Sequence, residues 1–131
     1  MKPQTDSWKL WLDKAKDDLL WTKASLKEEI LHGTCFAAQQ ASEKALKAYL
    51  LASGAIPLRI HDLSALLEAC IEKDRDFEGL VGQAATLSAY YVEARYPDLT
   101  EFMTYSKDQA TEVLNFASEI VNFVKEKITR T

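Results

Sequence analysis

An all-α bundle is the fold this sequence predicts, on three observations. Apolar residues recur at spacings of three and four along most of the chain, and no stretch sustains a two-residue alternation. Glycine and proline number only 4 and 3 in 131 residues, too few for an all-β domain with many tight turns. Hydrophobic residues make up 47% and charged residues 27%, an ordinary globular balance that can build a core without disulfides or metal. The pattern resolves into an up-down four-helix bundle with one additional short helix, expected as a single domain over residues 1–131.

The first helix is expected from about Ser7 to Leu31, with Thr5, Asp6 and Ser7 as N-cap candidates and His32-Gly33 as its stop. Trp8, Leu12, Ala15, Leu19, Thr22, Leu26 and Ile30 form its apolar stripe, and Leu10 and Trp21 fall on the opposite side. The second helix, from about Thr34 to Ser53, carries alanines at 37, 38, 41, 45, 48 and 52, with Gly54 as the C′ residue. Small side chains let neighbouring backbones approach, so this helix should be central.

Pro57 disfavours helix at Ile56 and opens a link. A short helix follows from about Leu63 to Glu72, capped by His61 or Asp62, with Leu63, Leu66, Leu67, Cys70 and Ile71 inward. The fourth segment, from about Phe77 to Ala94, has Asp74 or Asp76 near its start and Pro97 beyond its end. Its face is Phe77, Leu80, Val81, Ala84, Leu87, Ser88, Tyr91 and Val92. Eighteen residues after Phe77 is five turns, so Arg95 is expected to project in the same direction as Phe77. The last segment, from about Lys107 to Thr129, opens with a Ser106/Gln109 capping box. Its apolar stripe, which includes Phe116, Ile120 and Phe123, covers nearly half the circumference, wide enough for two neighbours or a partner chain.

Charge narrows the function. With 16 basic against 20 acidic residues the net charge is −4, a poor basis for sequence-independent binding of DNA or RNA. The N-terminal residues lack an apolar h-region, and no apolar run is long enough to span a bilayer. Cys35 and Cys70 are isolated, and His32 and His61 complete no zinc spacing, so buried reduced thiols in a cytoplasmic protein are expected. There is no P-loop or GxGxxG, and no cofactor is expected.

Three polar clusters could carry chemistry. Gln40, Glu43, Lys44 and Lys47 share one arc of the second helix; they are either a solvated face with i,i+4 pairs or the polar wall of a cleft. In a cleft, lysine meets phosphate and glutamine a base. Arg59 and His61 precede the short helix, as a cap or as an anion site at its N-terminus. Tyr90, Tyr91, Glu93, Arg95, Tyr96, Pro97 and Asp98 are either packing and ion pairing or a phosphate- and base-binding rim. An inward Arg95 would need a carboxylate, and Glu43 is the acid available in the second-helix cluster.

Three blocks together, Cys35-Phe36-Ala37-Ala38-Gln39-Gln40-Ala41-Ser42-Glu43-Lys44-Ala45-Leu46-Lys47-Ala48, then His61-Asp62-Leu63, then Tyr90-Tyr91-Val92-Glu93-Ala94-Arg95-Tyr96-Pro97-Asp98, resemble a stand-alone HEPN domain protein. The resemblance covers about Trp8 to Val124. It implies a helical bundle, commonly a homodimer, often paired with a minimal nucleotidyltransferase as a toxin–antitoxin module. It also implies a nucleotide ligand, for which Gln40, Glu43, Lys44, Lys47, Arg59, His61, Tyr91, Arg95 and Tyr96 are the candidate residues. One departure matters. Ribonuclease members carry Arg, four to six residues, then His. The positions after Arg95 hold Thr100, Glu101 and Phe102, those after Arg59 hold Ser64, Ala65 and Leu66, and those after Arg75 hold Leu80, Val81 and Gly82. Without that His, RNA cleavage has no evident acid or base. A non-catalytic module is therefore expected. A ribonuclease using Arg59, His61 and Arg95 in another arrangement, or a purely structural dimerisation domain, are the alternatives.

Overall fold

The structure is a computed structural model that describes residues 7–56, 62–95 and 105–130; of residues 91–95 it describes the backbone. The described residues form helices and turns, with no strand. The helices are α1 (Ser7–Lys27), α2 (Leu31–Ala52), α3 (Leu63–Lys73), α4 (Val81–Arg95) and α5 (Lys107–Thr129), with a 3₁₀ segment, Arg75–Leu80, leading into α4. Four long helices and one short one make the expected bundle. No helix among the described residues is long and apolar enough to cross a membrane.

α2 is the centre, as its alanines require. It touches α1, α3, α4 and α5. Ala37, Ala38, Ala41, Ala45 and Ala48 are wholly buried along it, so neighbouring backbones pack directly against its surface. Ala52 is the exception and is exposed at the helix end.

The expected stop of α1 is displaced. α1 ends at Lys27, and Glu29 takes the left-handed conformation at φ 59°. The Ile30 N–H donates to the Ser25 carbonyl at 2.8 Å and the Glu29 N–H to that of Leu26 at 3.0 Å. Those two bonds are a Schellman cap with a non-glycine C′ residue. Gly33 instead lies inside the first turn of α2, where a Cβ would sit 3.1 Å from Ile30 Cγ2. The glycine in the sequence marks close packing rather than a helix end. Ile30, counted in the apolar stripe, is more than half exposed at the turn. At the other end of α2 the expectation holds. Gly54 has φ 88°, and the Ala55 N–H reaches the Leu50 carbonyl at 2.9 Å.

Asp62 caps α3 by accepting from the Ser64 N–H at 3.3 Å. Asp74 accepts from the Asp76 N–H at 2.9 Å and starts the 3₁₀ segment. Phe77 and Leu80 are buried there. Spaced by three, they eclipse in a 3₁₀ turn. Ala84 and Leu87 continue that line in α4, whereas Val81 falls off it and is 50% exposed. Because the stretch begins as 3₁₀, the uniform α-helical count from Phe77 to Arg95 does not hold.

α5 has the expected reciprocal capping box: the Gln109 N–H donates to Ser106 Oγ at 3.0 Å and the Ser106 N–H to Gln109 Oε1 at 2.9 Å. Its wide apolar stripe is used inside the chain. Val113, Ala117, Ile120, Val121 and Val124 are buried, and Phe123 meets Phe77 edge-on at 4.8 Å. The helix packs among α1, α2 and α4 at once, so its width is accounted for without a second copy.

Candidate functional site

α2 carries a line of polar side chains into the bundle. Gln39, Glu43 and Lys47, spaced by four, are 1%, 8% and 6% exposed. The Lys47 ammonium donates to Glu43 Oε2 at 3.0 Å and lies 5.3 Å from the centre of the Trp11 ring of α1. A carboxylate and an aromatic face both stabilise a cation taken out of water. Gln39 Oε1 is buried with no hydrogen-bond partner among the described residues, and so is Ser88 Oγ on α4. An unmet buried acceptor costs about 1–3 kcal/mol.

Gln40 and Lys44 flank this line on its more open side, each half-buried. Lys44 donates to Asp18 Oδ2 of α1 at 2.6 Å. The four expected residues of α2 are thus together, but not as a solvated face: Glu43 and Lys47 are inside, and both lysines already meet carboxylates. Gln39 and Asp18 were not singled out from the sequence. The four-residue spacing of 39, 43 and 47, set among the alanines of α2, is the signal that points to Gln39. Nothing local points to Asp18, which comes from another helix.

Arg59, His61 and Tyr96 lie outside the described residues. So do the side chains of Tyr91 and Arg95, and with them the expected Arg95–Glu43 pair. Tyr90 packs against Tyr105, ring centres 5.8 Å apart, and its carbonyl accepts from the Tyr105 hydroxyl at 3.0 Å. His32 also meets Tyr105 edge-on, at 4.8 Å.

Other chemistry is limited. Cys35 and Cys70 are both buried, and neither is in a disulfide. Burial pushes the Cys70 thiol up to about 12, so it holds its proton at neutral pH and is not a nucleophile. Among the described residues no group of His, Cys, Asp and Glu could hold a metal ion.

Three kinds of similarity bear on this arrangement. The HEPN domain family model matches residues 8–127. The Methanocaldococcus jannaschii protein named "Putative toxin MJ1304" is 27% identical, over 90% of this chain and 86% of its own. Among solved structures, TT1696 from Thermus thermophilus is 37% identical with a TM-score of 0.84, covering 93% of this chain and 98% of that one. ST0689, described as an archaeal HEPN homologue, is 31% identical with a TM-score of 0.73, covering 98% and 99%. The family match takes in all five helices and the polar line of α2, and by that extent the chain belongs to the HEPN domain family.

Proposed function

We propose that this chain is the non-nuclease helical member of a two-protein, toxin–antitoxin-like pair, that its partner is a minimal nucleotidyltransferase, and that the α2 polar line is a nucleotide site. The likeness to a protein named as a toxin supports the first part, and the absence of His at the required positions after each internal arginine supports the non-nuclease assignment. The observation that carries the site is the buried Gln39–Glu43–Lys47 line, whose Gln39 carbonyl is unmet among the described residues. An amide oxygen awaiting a donor suits the exocyclic amine of a base. Lys44 and Lys47, released from Asp18 and Glu43, suit phosphate. Arg59, His61, Tyr91, Arg95 and Tyr96 complete the site, the arginines on phosphate and a tyrosine ring on the base.

Titration calorimetry with ATP tests this. Wild type should bind at least about tenfold more tightly than Lys44→Ala and Arg95→Ala. Wild-type affinity no tighter than millimolar removes the nucleotide site. The second reading, favoured by the Lys47–Glu43 and Lys44–Asp18 pairs, would then stand: the line holds α1 to α2 and nothing more. RNA incubated with the protein should remain intact. Cleavage lost in Arg95→Ala or His61→Ala would instead make the chain a ribonuclease.

A further inference from the structure

The groove between α1 and α5 joins bare cationic edges to an apolar floor. It encloses about 260 Å³. Lys16 and Lys23 stand on its α1 edge, and Lys125 with Asn122 on its α5 edge. The two α1 lysines are seven positions apart, so they lie about 10 Å apart along the helix. Its floor is aliphatic, from the buried Leu19 and Val121, and Leu20, 63% exposed, stands beside the lysines on the α1 edge.

Charge is the informative feature. Lys44, Lys47 and Lys127 all meet carboxylates within the chain. Lys16, Lys23 and Lys125 meet none among the described residues, and no acid among them lines the groove. In a chain of net charge −4, three exposed cations without counter-charges among the described residues, around an open leucine, suit a ligand that is both acidic and apolar.

A second copy does not fit. A two-fold axis through the groove would set each lysine cluster against its own duplicate. A nucleic acid fits poorly, because no aromatic side chain among the described residues lines the groove to stack on a base. We propose that the α1–α5 groove is the docking site for an acidic amphipathic helix of a different protein, leucine-like anchors on the aliphatic floor and carboxylates against Lys16, Lys23 and Lys125. Apolar anchors laid between two helices are a recurring mode of helix recognition, and flanking charge sets partner choice. This proposal stands on the groove alone and is independent of any nucleotide bound at α2.

The test is fluorescence anisotropy of a labelled synthetic helical peptide with the full chain. The peptide has about sixteen residues, leucines at i, i+4 and i+7, and flanking glutamates. Wild type should bind it with Kd of about 10–100 µM, more weakly as salt rises. Combined Lys16→Glu, Lys23→Glu and Lys125→Glu should weaken binding by at least about tenfold. That variant, with an unchanged melting temperature, should instead bind a lysine-for-glutamate peptide. Leu20→Ser should weaken binding of the original peptide. No binding by wild type at about millimolar peptide overturns the proposal. So does equal binding of a serine-for-leucine acidic peptide or of an oligouridine RNA. A wild-type dimer dissolved by the three charge reversals would make the groove a self-interface and overturn it as well.

Discussion

Glu29 and Gly54 do the same work with different residues. Each is the left-handed C′ residue of a helix, at φ 59° and 88°. Glycine reaches that region without cost, while a side chain with Cβ costs about 1 kcal/mol or more. Part of any gain on removing that Cβ is lost to the greater freedom of glycine in the unfolded chain. Glu29→Gly should therefore stabilise by about 0.5–1 kcal/mol, read as a higher urea midpoint with an unchanged slope.

Asp74 is a carboxylate whose ionisation the fold changes. It accepts from Lys127 Nζ at 2.7 Å and from the Asp76 N–H. The Lys127 hydrogen bond, then the backbone bond, hold its carboxyl below the usual range, and the same contact with Lys127 helps hold that ammonium above its own. A carboxylate depressed in the folded state stabilises at pH above its unfolded value, about 4, and that contribution is lost as pH falls through the folded value. Asp74→Asn should lower the melting temperature at neutral pH. The gap to wild type should narrow steadily below about pH 4. A gap that is constant from neutral to acid pH would show that the Lys127 contact contributes nothing through ionisation.

Among the elements, α5 bears most directly on stability because it closes the bundle against three neighbours. Ile120 is wholly buried on it. Ile120→Asp places a carboxylate in the apolar core and should cost more than about 4 kcal/mol, enough to unfold a marginal domain. Loss of the cooperative melt, seen by circular dichroism, is the expected result. Ser106→Ala at the start of the same helix removes one half of the capping box and should cost about 1 kcal/mol. A variant at Ile120 as mild as that would mean the α5 stripe is not core.

For the whole molecule, the width of the α5 stripe no longer argues for the expected homodimer, since it is used inside the chain, and the outward face of α1 is what remains. Leu10 and Trp21 are 59% and 53% exposed. Eleven residues apart, they are three turns apart and about 20° from alignment. Neither residue lines the lysine-lined groove, so self-association and binding of an acidic partner need not compete. Sedimentation at about 50 µM should show a dimer that Trp21→Lys dissociates. Monomer alone at that concentration would remove the dimer.

Features that depend on near neighbours along the chain were readable before folding. The Ser106–Gln109 box, the Gly54 cap and most of the stripes of α1, α2 and α5 each follow from residues within a few turns of one another, and each is as expected; for α3 the sequence offers His61 or Asp62, and Asp62 is the cap. Where a local signal had two explanations, only tertiary structure chose. Gly33 has the look of a helix stop but sits inside α2, because its missing Cβ makes room for Ile30. Val81 shares the α-helical face of Phe77 but turns outward, because the chain enters α4 through a 3₁₀ segment. The polar arc of α2 was legible as a cluster. Its burial was not, since that depends on Trp11 and Asp18, which α1 brings from 36 and 26 positions away, against Lys47 and Lys44. The lysines of the α1–α5 groove were not legible at all. Lys16 and Lys23 meet Lys125 from the far end of the sequence, and charges that distant share a site only after the bundle has closed.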